Sequence, residues 1–201
     1  MSRDKKLLKQ RVGSIAGIAA PILAFACIFA AIASDSGFSW TQNALSDLGI
    51  VPGITGFVFN FGLCGAGLLA LVFVVLGLFI EMGRSVVGRA GATVFGAASV
   101  ALFAIGVFNE NFSGIHYAVS VAFFVLIPIS LFIFTSAFAL SHQAEMTVFT
   151  VIIGAIAALS WLLLFAFHYV PNDAIPETVS AIAVSGWIIT ISLRMLKEGS
   201  A

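Results

Sequence analysis

Six long apolar runs, parted by short polar breaks, set the pattern of this chain. They cover about residues 12–33, 54–80, 87–108, 115–140, 146–167 and 175–193. Crossing a bilayer core of roughly 30 Å takes about 20 helical residues, so each run is long enough or nearly so. In lipid the backbone polar groups must be satisfied internally, and a helix does this within its own segment. The expected fold is therefore all-α, a single six-helix transmembrane domain over residues 1–201. Small residues at helical spacing, Gly13 and Gly17 in the first run and Gly88, Ala92 and Gly96 in the third, predict close helix contacts. Pro21 and Pro128 predict bends in the first and fourth.

The breaks sort by charge. Arg3, Lys5, Lys6, Lys9 and Arg11 precede the first run, Arg84 and Arg89 flank the second break, and Arg194 and Lys197 follow the sixth run. All nine basic residues thus fall on one side of a six-span topology. The positive-inside rule makes that side cytoplasmic, with both termini there, in a multi-pass protein of the cell membrane. Asp35, Asp47, Glu110, Asp173 and Glu177 fall on the opposite, outer face, which carries no Lys or Arg. A basic start before an apolar run has the outline of a signal peptide, but this run is too long for one and shows no clear cleavage site.

Composition agrees with the pattern. Hydrophobic residues make up 61% of the chain and charged residues 9%, with a mean hydropathy of +1.14. A soluble domain of this length cannot hide that much apolar surface. A formal net charge of zero removes the electrostatic basis for a nucleic-acid partner, leaving membrane lipids as the expected surroundings and partners. Cys27 and Cys64 both fall inside apolar runs and read as small buried apolar groups rather than a disulfide.

Candidate chemistry lies in the outer breaks. The longest holds Trp40-Thr41-Gln42-Asn43-Ala44-Leu45-Ser46-Asp47-Leu48-Gly49. At helical spacing Asn43, Ser46 and Asp47 share one face, and Ala44, Leu45 and Leu48 the other. A short amphipathic helix or re-entrant loop is expected there. Glu110 and His116 bracket the start of the fourth run, His168 closes the fifth, and Asp173 and Glu177 open the sixth. Convergence of these groups would form a pocket at the membrane surface. Asp47, His116 and His168 are its candidate catalytic residues, and Asn43, Ser46, Glu110, Asp173 and Glu177 its candidate binding residues.

Two histidines with carboxylates are acceptable divalent-metal ligands, although no HExxH or CxxC spacing supports a metal. A His–Asp pair is also a metal-free general base. The quieter readings are that His116 bonds Ser113 or Ser120 in its own helix and His168 joins Tyr169 in an interfacial belt. On the same reading Asp47 and Asp173 cap local structure, and Glu177 suits a helix N-terminus. No run carries a mid-membrane acid or base, which weakens an ion-coupled carrier.

Two stretches carry a family resemblance: Trp40–Gly49, and Gly106-Val107-Phe108 followed by His116. With the six-span layout, they resemble the prokaryotic multi-pass family called domain of unknown function 998. Asn109 stands where that pattern has proline. The chain is more loosely similar to the Frag1/DRAM/Sfk1 group, which also has six spans, a Ser-Asp loop after the first and a histidine near the fourth. The resemblance implies a lipid-related setting and transfers no catalytic residue. Three functions follow as expectations: binding or organising lipid or a partner through the outer loop, a lipid-directed hydrolase or headgroup transferase, and a small-molecule or lipid transporter.

Overall fold

The computed structural model describes residues 3–198, which form helices and turns and no strand. Six helices are long and apolar enough to cross a membrane. They are α1 (Arg3–Ser34), α2 (Ile54–Glu81), α3 (Val86–Val107), α4 (Ser113–Leu140), α5 (Ala144–Phe167) and α6 (Ala174–Glu198). Short 3-10 helices, Leu45–Ile50 and Glu110–Phe112, sit in two of the loops.

α1 starts well before its apolar run because Lys, Arg, Gln and Leu are good helix formers. Its 32 residues span about 48 Å at 1.5 Å per residue, so its basic first turns extend beyond a hydrocarbon layer of roughly 30 Å. Pro21 and Pro128 both lie within continuous helices. A bonding partner for the backbone is lost at each, and in α4 Ser130 Oγ donates to the carbonyl of Ile127 beside Pro128 (2.7 Å).

Each helix packs on the next in sequence, and α6 packs back on α1, closing a six-membered ring. Loops 35–53, 108–112 and 168–173 gather at one end, the acidic end, where the Ala174 amide donates to the Asn43 carbonyl (3.1 Å). The start of α1 meets the end of α2 at the other, basic end, where Gln10 donates to Glu81 (2.8 Å).

At Gly13 the contact between α1 and α2 is backbone against backbone. Gly13 faces the main chain of Leu76 and Gly77 within a π-helical turn, Val74–Leu78, and has no room for a Cβ. Both cysteines are free: Cys27 packs over Gly62, and Cys64 donates weakly to the Phe103 carbonyl.

Ring closure leaves an interior that the two halves of the bundle fill differently. Toward the basic end, Trp187 of α6 reaches across to Phe95 of α3 and Phe134 of α4, with ring centroids 5.6 and 4.9 Å away. Its indole N–H donates to Thr150 Oγ1 of α5 (3.0 Å), so one side chain ties four helices together. Toward the acidic end the interior holds an apolar cavity of about 100 Å³, with Phe95 and Ile188 in its wall.

Candidate functional site

The acidic end is built by its longest loop. Asn43 accepts the Ser39 amide at Oδ1 (3.0 Å) and donates through Nδ2 to Asp47 Oδ2 (2.7 Å). The same Asp47 oxygen accepts the Ala44 amide (3.1 Å). These bonds fold the loop around the entry to the Leu45–Ile50 helix, and Leu45 and Leu48 anchor that helix in the core. Two asparagines hold its far end: Asn60 and Asn109 both donate to the Gly49 carbonyl, at 2.8 and 3.3 Å. Asn109 therefore has a bond here that a proline cannot make.

Other elements meet this loop through its polar atoms. Glu177, on the first turn of α6, accepts the Leu45 amide at Oε2 (2.6 Å) across 132 residues of sequence. Ser46 Oγ donates to Glu110 Oε1 (2.6 Å). Asn172 donates to the Gln42 carbonyl (2.9 Å). His116 is nearly buried, 8% exposed, and its Nδ1 lies 2.7 Å from the Phe108 carbonyl. A carbonyl only accepts, so Nδ1 carries the proton and, in the neutral ring, Nε2 is left as an acceptor. Nε2 is 3.4 Å from Ser120 Oγ and 4.0 Å from Glu110 Oε1.

These groups line the mouth of a cleft of about 740 Å³ between α4 and α5. The helices touch where Gly154 meets Leu131 and Phe132. From Phe132 toward the acidic end they flank the cleft. Ser46, Asp47, Glu110, His116, Asp173 and Glu177 line its polar end. Its deeper walls are apolar, with Val125, Ile129 and Phe132 on α4 and Ala158 and Leu162 on α5, while Phe165 stands nearer the mouth. Phe124 and Trp161, 4.7 Å apart between centroids, stand at its back, and Trp161 is held by an N–H bond to Ser180 (3.1 Å). Glu177, Ser46, Ser120 and Phe124 also line the central cavity, so they form the partition between the two spaces.

Six of the eight residues singled out by sequence thus share one cleft. Asn43 is in the loop that shapes it, without lining it. His168 is exposed at the end of α5, where it caps the helix in a left-handed conformation (φ 48°) with its amide on the Leu164 carbonyl (2.8 Å). It does not join Asp47 and His116. Among the described residues, no group of three or more His, Cys, Asp or Glu is arranged to hold a metal ion. Sequence reasoning missed Tyr117, Trp161 and Phe165, which give the cleft its aromatic surface.

The cleft is electrostatically unbalanced. Four carboxylates line it, while all nine Lys and Arg residues of the chain belong to the elements of the basic end. Burial pushes the Asp173 carboxyl above its usual range, and the Asp47 charge adds to the effect. A carboxyl whose folded pKa is raised holds its proton more tightly when folded. Its contribution to stability is present below the unfolded value of about 3.9 and is lost as pH rises through the folded one. Asp173→Asn is therefore expected to raise the thermal midpoint in neutral detergent at pH 7, with the gain disappearing near pH 4. An equal midpoint for the two proteins at pH 7 would contradict the electrostatic account.

No curated protein and no solved structure shows a significant match to the chain. A family model does match, over residues 18–194, a stretch that takes in four of the six helices whole, most of α6, the second half of α1 and every residue lining the cleft. The chain is thus a multi-pass membrane protein that belongs to the family described as protein of unknown function (DUF998).

Proposed function

We propose that this protein binds a membrane lipid in the α4–α5 cleft, with the headgroup at the acidic end and a chain along the apolar walls. One observation carries the reading: the cleft is amphipathic along its length, polar at its mouth and apolar in its depth. Its volume of about 740 Å³ lies within the range of about 300–1,000 Å³ typical of small-molecule sites. Val121, Val125 and Ile129 on one lip and Leu162 and Phe165 on the other are exposed, so the cleft opens sideways. For a bundle of apolar helices the medium on that side is lipid. With the basic end cytoplasmic by the positive-inside rule, the mouth sits at the outer leaflet of the cell membrane and both termini lie inside.

Ala158 of α5 lines the cleft and offers a way to block it. After exchange from membranes into maltoside detergent, native mass spectrometry is expected to show the wild-type chain retaining one lipid. Ala158→Phe, which fills the space, is expected to retain at least tenfold less. Equal retention by both would place the lipid elsewhere and end the proposal.

A second reading, lipid hydrolysis or headgroup transfer, draws on His116. Its Nε2 faces Glu110 at the cleft mouth and would serve as a general base toward a bound ester or phosphodiester. Asp47 would shape the loop in this scheme, and His168 takes no part in it. Turnover of such lipids in vesicles, abolished by His116→Gln, favours this reading; absence of turnover by the wild type retires it. Transport gains less support, because the cavity inside the ring is small and mostly apolar.

A further inference from the structure

Resting on the lipid reading, we propose that the headgroup bound at the cleft mouth carries an ammonium group, primary or quaternary, and that the site selects against purely anionic lipids. The cleft supplies two kinds of wall suited to such a cation. Carboxylates form the first. Glu177 is 8% exposed and opens onto both the cleft and the central cavity. Only its Oε2 is engaged, by the Leu45 amide, which leaves Oε1 without a hydrogen-bonding partner among the described residues. Asp173, half-buried, receives no hydrogen bond on its carboxylate among the described residues, and Asp47 is close enough to act on it electrostatically. A buried carboxyl is costly to ionise on its own, and a cation from outside the chain favours its charged form.

Aromatic rings form the second wall. Tyr117, Trp161 and Phe165 line the same cleft, and the faces of such rings attract quaternary and primary ammonium groups. An anionic head would meet the opposite situation. No Lys or Arg lines the cleft, and the hydroxyl of Ser46 is already spent on Glu110. Phosphate recognition ordinarily relies on Arg, Lys or a helix N-terminus turned to the ligand. Here the first turn of α6 presents Glu177 instead.

The test offers the full-length protein an equimolar mixture of phosphatidylcholine, phosphatidylethanolamine and phosphatidylglycerol with identical chains, and reads bound lipid by native mass spectrometry. Only the retention that Ala158→Phe removes is counted, so lipid held by the basic end does not enter. Wild type is expected to favour the two ammonium lipids over phosphatidylglycerol by at least tenfold. Asp173→Asn, and independently Glu177→Gln, which keeps an acceptor for the Leu45 amide, are expected to reduce that preference below threefold. Retention without headgroup preference, or with phosphatidylglycerol favoured, overturns the ammonium assignment and leaves the lipid reading standing. Absence of cleft-dependent retention for all three lipids overturns both.

Discussion

Trp187→Ala is expected to destabilise the bundle by about 3–5 kcal/mol, the usual cost of truncating a buried aromatic residue to alanine. Trp187 is fully buried, and lipid is too far away to fill the hole. Two losses combine. The ring contacts with Phe95 and Phe134 disappear, and Thr150 Oγ1, itself fully buried, loses the indole N–H it accepts. In a membrane the hydrophobic effect does not hold helices together, so packing and interhelical hydrogen bonds carry more of the association. Trp187→Phe separates the terms: it keeps much of the ring contact and loses the hydrogen bond, and should cost less. Denaturation in mixed micelles measures both. An alanine variant within about 1 kcal/mol of wild type, well below the expected truncation cost, would mean that Trp187 is not the central tie.

Gly67→Val is the second large effect. A Cβ at Gly67 would lie 2.5 Å from the backbone nitrogen of Phe103 and 2.8 Å from its Cα. Neither atom is the movable end of a side chain, so α2 and α3 must separate for the substitution to fit. Overpacking of this kind typically costs about 1–3 kcal/mol. Gly67→Ala should show most of the penalty, because the first carbon already collides, and valine should add to it. The same denaturation assay checks the order. A glycine-to-alanine change at Gly114, where an added Cβ meets nothing within 4 Å, is the matched control.

Legibility in the sequence followed the range of the interaction. Six apolar runs announced six helices because the solvent of a span acts on each segment separately. The folding of the Asn43–Asp47 loop was also local: an Asp three or four residues from its donors is a familiar way to satisfy backbone amides. Long-range geometry was not legible in that way. Nothing near Glu177 names Leu45 as its partner, and the bond exists only because the ring brings α6 back to the first loop. His168 looked equivalent to His116 as a polar residue at a helix boundary. The left-handed turn that ends α5 points it out of the cleft, whereas His116 begins a helix whose preceding loop offers the Phe108 carbonyl. Trp161 and Trp187 were hidden for a different reason: inside an apolar run, a tryptophan facing lipid and one facing a neighbour read alike.

Sequential packing around the ring has a consequence for biogenesis. As the chain leaves the ribosome, each new helix finds its main partner already in place in the helix just before it. Five helices can thus accumulate as an open arc. The last must do more than its predecessors: it meets both α5 and α1, sets Trp187 among helices inserted earlier, and brings Glu177 to the Leu45 amide. The headgroup site proposed above would therefore be completed last during synthesis, because a chain cut short before α6 lacks Glu177.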